Sequence, residues 1–312
     1  MPHVIHLESP ALSVTLSDRG ARLVQLVAKR QNLSLLLDTE QVPTELIDQF
    51  CIGGTVGPFA GRLRQIAPTN AQPAVLLHGN EAALHRADWM LERGNQPNAA
   101  TYSISRRHGE GGLPGDRDFR AAYTLSDNSL MIDLSVTTTH DTPISLTNHA
   151  YFTLGATSVS ALSLQINAQS VLLTDGEQCA TGGSMPVADT PLDFVRERLL
   201  SDALTAYPDG LDHSYVLASD NRDALAPDHV ASLTNRANGV SLDLATTQPC
   251  LQVYTASQLT SPLRPFTAIC LEAQGFPNGP NHALGRRESW LAAGQTTTQR
   301  IVYRINERSL RH

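Results

Sequence analysis

Five polar clusters stand inside or at the ends of runs that are otherwise apolar: Arg62, His78, Asn148-His149, Asp212 and Glu272. Taken singly, each has an ordinary reading. His149 lies in Pro143-Ile144-Ser145-Leu146-Thr147-Asn148-His149-Ala150-Tyr151-Phe152-Thr153-Leu154, where apolar/polar alternation reads as a strand with one buried face. A histidine in such a strand is as readily a hydrogen-bonded core residue as a chemical one. Asp212, at the start of Leu211-Asp212-His213-Ser214-Tyr215-Val216-Leu217, is as readily a turn residue. Taken together they say more, because a fold that buries all five must pair them with each other or with a ligand.

The carboxylate with the most pointed setting is Glu272. It follows Ile269-Cys270-Leu271 at the end of an apolar strand and precedes the Pro/Gly-rich loop Gly275-Phe276-Pro277-Asn278-Gly279-Pro280-Asn281-His282. A carboxylate there is partly desolvated. It is either ion-paired, with Arg62 as the candidate partner, or a base of raised pKa. Arg62, flanked by Phe59, Ala60 and Leu63, reads as a partly buried donor fork for hydroxyls or carboxylates.

Other chemistries fit less well. Gly53, Gly54, Gly57 and Gly61 bring backbone close to a ligand or simply turn the chain, and they do not have GxGxxG spacing. His78 and His85 flank Glu81, but the spacing is not H-E-x-x-H and no helix aligns the three, so no metal is expected. Lys29 is the only lysine and lies in a polar turn, which argues against Schiff-base chemistry and excludes a P-loop. Trp89 reads as core, with a sugar-stacking face as the alternative.

The elements that must carry these residues are short strands. Alternation marks Leu12 to Leu16, Ala21 to Leu26, Ser129 to Thr137, Ser160 to Ile166, Val240 to Thr246, Cys250 to Thr255, Ala268 to Leu271 and Arg300 to Ile305. The one helical candidate is Pro191 to Leu204. Gly109 to Asp116 reads as a long turn over one mouth of a sheet. Many short strands separated by turns specify an all-β sandwich or barrel, not βαβ units. With no linker, repeat or low-complexity stretch, residues 1–312 read as one domain. Hydrophobic residues make up 41% of the chain, ample for a large core.

A net charge of -7 and the lack of a basic run argue against nucleic acid as a partner. No apolar run is long enough to span a membrane. Cys51, Cys179, Cys250 and Cys270 are scattered and form no CxxC pair, as expected of reduced thiols. With no signal-like pattern at Met1-Pro2-His3-Val4-Ile5-His6, a cytoplasmic protein is expected, as a monomer or homodimer.

The order of the clusters resembles that of the aldose 1-epimerase (galactose mutarotase) family. Gly57-Pro58-Phe59-Ala60-Gly61-Arg62-Leu63 is similar to its glycine-to-Asn-Arg segment, and Leu77-His78-Gly79 to its Leu-His-Gly. Glu110 to Gly115 is similar to its Glu-Gly-Phe-Pro-Gly turn, and Leu146-Thr147-Asn148-His149-Ala150-Tyr151-Phe152 to its Leu-Thr-Asn-His-Ser-Tyr-Phe. Leu211-Asp212-His213 is similar to its Asp-His, and Leu271 to Asn281 to its Leu-Glu-x-Gln-x-Phe-Pro-Asp-x-Pro-Asn. The likeness extends to Ala293-Gly294-Gln295 and Val302-Tyr303-Arg304, nearly the whole chain.

The resemblance implies a large antiparallel β-sandwich that interconverts the anomers of an aldohexose such as galactose or glucose, without cofactor or metal. It implies Glu272 as general base and His149 as general acid, with Arg62, His78, Asp212 and Gln252 holding a monosaccharide. Two departures bear on the substrate more than on the reaction. Gly61 stands where the family has Asn, and Ala256-Ser257-Gln258 where it has Gly-Asn-Phe. The alternatives are a mutarotase for an anionic or modified sugar, with Arg64 or Arg86 as partners, and a non-catalytic sugar-binding protein of the same fold.

Overall fold

The computed structural model describes residues 2–64, 74–92, 97–218 and 226–308. Alternation in sequence becomes alternation in burial. In Val240–Thr246, Val240, Leu242, Leu244 and Thr246 are buried while Ser241, Asp243 and Ala245 remain half-exposed. Arg117–Ser126 and Ser129–Thr138 follow the same period.

These strands are central to a nine-stranded sheet. Its order is Arg198–Leu199, Ser163–Ile166, Asp228–Asn235, Val240–Thr246, Thr296–Glu307, Ser129–Thr138, Arg117–Ser126, Ala99–Arg106 and Met90–Glu92. A six-stranded sheet runs Tyr151–Phe152, Ile269–Gln274, Cys250–Tyr254, Asp212–Leu217, Ala168–Thr174 and Ala180–Pro186. Every ladder in both is antiparallel. A four-stranded sheet, from Val4–Glu8 to Leu33–Ser34, completes the scaffold.

The two large sheets meet through their apolar faces. Ile269, Leu271 and Ala273 from one share a buried cluster with Leu242, Leu244, Ile301 and Tyr303 from the other. The same cluster takes in Leu7 near the start of the chain and Ile305 near its end. The architecture is the expected all-β sandwich.

Three local readings change. Pro143 to Leu154 is not one strand but three fragments with three partners. Thr142–Pro143 pairs with Trp290–Leu291, Thr147–Asn148 with Thr55–Val56, and Tyr151–Phe152 with Ile269–Gln274. Period-two alternation records which side chains are buried. It does not record which backbone each residue pairs with, and here the glycine-rich Gly53-Gly54 segment docks against the middle of the run. Asn148 serves that docking, donating from Nδ2 to Gly53 O at 3.0 Å.

The helix is confined to Leu200–Ala206 and does not start at Pro191. Leu192 and Phe194 are wholly buried, and Phe194 O accepts from Ile166 N at 2.7 Å, so this stretch docks irregularly onto the sheet. Residues Val159–Ala161 form a 3-10 turn capped by Ser158, which delays the strand to Ser163–Ile166. Trp89 is core, 4% exposed, with Nε1 donating to Leu84 O. No helix among the described residues is long and apolar enough to cross a membrane.

Candidate active site

Ile269–Gln274 is buried along its whole length. Its residues at odd positions join the core, so Cys270, Glu272 and Gln274 face the other way. Glu272 and Gln274 line a cavity of 480 Å³. Glu272 therefore sits inside the strand, not at its end, and its carboxylate is enclosed on a sheet face. Across the ladder, Gln252 pairs with Glu272 and Ser214 with Gln252, forming a polar row over three strands. Asp212, two residues before Ser214, shares that face. Gln252 Nε2 donates to Asp212 Oδ1 at 2.6 Å and so fixes the carboxylate beside the row.

His149 comes from the turn between two of the short fragments. Its N–H donates to Gly54 O at 3.0 Å and its carbonyl accepts from Gly53 N at 2.8 Å. The ring stacks on Tyr151, with centroids 5.1 Å apart and planes 16° off parallel. Tyr151 is held in turn by donating its hydroxyl hydrogen to Phe50 O at 2.9 Å. His149 Nε2 then lies 3.5 Å from Glu272 Oε1. The other polar atoms of this pair, His149 Nδ1 and Glu272 Oε2, are buried without a partner.

His78 meets His149 edge to face, with ring centroids 5.7 Å apart. Its Nδ1 accepts from Gly61 N–H at 3.2 Å. The neutral ring must then carry its proton on Nε2, which makes His78 a hydrogen-bond donor. Arg62 does not pair with Glu272. It donates to the Gln178 amide oxygen, on the turn between Ala168–Thr174 and Ala180–Pro186. All six residues expected from the sequence, Arg62, His78, His149, Asp212, Gln252 and Glu272, line the one cavity.

Burial sets the electrostatics. It pushes the Glu272 carboxyl well above the usual carboxylate range, and the Asp212 charge adds to the effect. It lowers the His149 imidazole to about 4. His78 is held well below its ordinary value by burial and then by His149. Between its two titrations the Glu272–His149 pair thus holds a single proton.

The arginines considered for an anionic sugar are occupied elsewhere. Arg64 donates to Glu177 at 2.6 Å and Asp175 at 2.7 Å, Arg86 donates to His85 Nε2 at 3.1 Å, and neither lines the cavity. The four cysteines are buried. Cys51 does reach the cavity wall, but burial and the nearby Glu272 push its thiol up to about 12, which leaves it a weak nucleophile. No group of three metal-type ligands occurs among the described residues.

Sequence reasoning passed over Tyr151, Gln178, Ser214 and Gln274, all of which line the cavity. Gln274 was accessible to it, since a residue two after Glu272 in a strand shares its face. Gln178 was not, because it joins Arg62 across 116 positions of chain.

Known proteins resemble this chain in sequence and in fold. The family described as aldose 1-epimerase matches residues 3–304. An aldose 1-epimerase of Haemophilus influenzae is 30% identical over 259 residues, covering 75% of this chain and 74% of its own length. A galactose mutarotase of Mus musculus is 27% identical over 300 residues, covering 88% of this chain and 86% of its own. The crystal structure of an aldose epimerase homologue from C. elegans superposes with a TM-score of 0.87 at 24% identity, over 98% of this chain and 99% of that one, a likeness of fold. This chain belongs to the aldose 1-epimerase family, carbohydrate isomerases that act at the anomeric carbon.

Proposed function

We propose that the protein interconverts the α and β anomers of a neutral aldohexose such as galactose or glucose, with Glu272 as general base and His149 as general acid. The observation that carries the reading is the buried Glu272–His149 pair at the cavity wall, 3.5 Å apart and each with an unpartnered polar atom. Glu272 takes the proton of the anomeric hydroxyl as His149 gives one to the ring oxygen. The bond between the anomeric carbon and the ring oxygen breaks, its electron pair goes to that oxygen, and the anomeric carbon becomes an aldehyde. Rotation about the adjacent carbon–carbon bond presents the other face, and reclosure returns both protons. The pair carries one proton throughout. Burial rests it on Glu272 in the free protein, the reacting arrangement moves it to His149, and ring opening returns it to Glu272.

Acid–base catalysis of this kind contributes about 10²–10⁴-fold. Orientation by the remaining groups supplies more. His78 donates from Nε2, Arg62 from its guanidinium, and Asp212 accepts, with Gln252 holding it in place. Because such buried groups are left unpaired when a hydroxyl is missing, they discriminate between sugars. The occupation of Arg64 and Arg86 by other partners supports the neutral class. The shared core from Leu7 to Ile305 supports a single domain.

The test is NMR exchange spectroscopy between the anomers of a panel of aldoses with purified protein. Exchange well above the buffer rate for galactose or glucose is expected. A panel that shows none, with the protein folded, overturns the reading.

A further inference from the structure

The glycines around the cavity are not alike. A Cβ at Gly53 would meet Leu23 O at 2.1 Å, one at Gly79 would meet Gly57 O at 2.5 Å, and one at Gly210 would meet Ser257 Cβ at 2.7 Å. Packing forces glycine at each. Gly61 differs: the nearest atoms to a Cβ there are Gln274 Nε2 at 3.5 Å and Pro277 Cβ at 3.7 Å, both ordinary contacts. Its φ of +74° is a conformation asparagine also tolerates, so the absence of a side chain leaves real space. Gly61, Gln274 and Pro277 all line the cavity.

The wall of that space is an orphaned amide. Gln274 is 1% exposed, and neither its nitrogen nor its oxygen has a hydrogen-bond partner. Buried amides are nearly always paired, so an amide with both atoms unpaired, its nitrogen beside the space at Gly61, marks a place where a ligand group belongs. The side chain stands on the same sheet face as Glu272, two residues along, hence within a sugar's reach of the reacting carbon.

We propose that the niche in front of Gly61, walled by the Gln274 amide, is a subsite for a ring substituent larger than hydroxyl that brings both a donor and an acceptor. The simplest such group on an aldose is acylamino, whose N–H and C=O match the amide's oxygen and nitrogen. The inference rests on the mutarotase reading and extends its substrates to N-acetylhexosamines.

The experiment compares anomer exchange of galactose and glucose with that of N-acetylgalactosamine and N-acetylglucosamine. Wild type is expected to exchange at least one acetamido sugar within about tenfold of its parent, since the site pairs the added group instead of excluding it. Gly61→Asn, which fills the niche, and Gln274→Leu, which removes the amide at similar volume, should each lower the ratio of acetamido to parent kcat/KM by about tenfold or more. A wild type that exchanges the parents but neither acetamido sugar overturns the subsite and leaves the mutarotase reading standing. Two folded variants that keep the wild-type ratio overturn the subsite equally. No exchange of any sugar overturns the mutarotase reading itself.

Discussion

Val240–Thr246 and Ile269–Gln274 face the same core and have opposite outer faces. Both send alternate apolar residues inward, Leu242 and Leu244 from one and Leu271 and Ala273 from the other. On the outer face of the first, Asp243 is satisfied, accepting from Ser232 Oγ at 2.7 Å and Asn306 Nδ2 at 2.8 Å. On the outer face of the second, Glu272 Oε2 and both amide atoms of Gln274 have no partner. One strand is finished as a piece of structure. The other is left incomplete, with its missing hydrogen bonds turned toward the cavity, as expected where a ligand completes them.

The contrast predicts opposite responses to substitution. Glu272→Gln keeps the shape and removes the proton-exchanging carboxyl, so anomer exchange should fall by about 10²–10⁴-fold by polarimetry of fresh α-galactose. Thermal stability should hold or rise, because a carboxyl whose folded pKa lies above the unfolded one weakens the fold once it ionises. Leu242→Ala should do the reverse, losing about 2–5 kcal/mol of stability in denaturant melts while the folded protein keeps its exchange rate. Near-wild-type exchange in Glu272→Gln would end the base assignment.

The comparison sharpens with pH. Exchange needs one proton on the Glu272–His149 pair, so kcat/KM should be bell-shaped. Its acid limb falls near 4, where His149 takes up a second proton, and its alkaline limb falls where Glu272 loses the last one. For stability Glu272 contributes one slope, and His78, His85 and His149, all lowered by burial, contribute the opposite one below the ordinary 6.5. Above the ordinary 4.5 the unfolded chain has released the Glu272 proton and the fold retains it, so this contribution declines as pH rises toward the folded value. Glu272→Gln should remove that slope, and an unchanged slope would place it elsewhere.

How legible all this was in the sequence follows from the physics of each element. Val240–Thr246 was readable to the residue because only one of its faces is apolar. His149 and Glu272 stood out because polar side chains interrupt apolar runs, and both line the cavity. The partners of Pro143 to Leu154 were hidden, since three separate backbones complete that stretch and none is local. So was the Pro191 to Leu199 segment, whose Leu192 and Phe194 are buried by tertiary docking, not by a helical stripe. The pairing of Arg62 with Gln178 instead of Glu272 depends on a hairpin turn that local patterning does not place.

The smallest effect belongs to the cavity's edge. Arg64 binds Asp175 and Glu177 on the turn that also carries Gln178, and these side chains are 27%, 37% and 63% exposed. Water screens such pairs, so Arg64→Ala should shift Tm by no more than about 2 °C, a shift that high salt reduces. Its influence on catalysis runs through position. Freed from Arg64, the turn holds Gln178 less firmly against Arg62, and Arg62 in turn orients the sugar in the proposed mechanism. KM should therefore rise while kcat holds, and wild type in concentrated salt should move the same way. A fall in kcat at constant KM would instead tie this turn to the acid–base step, and the division between a chemical floor and a positioning edge would fail.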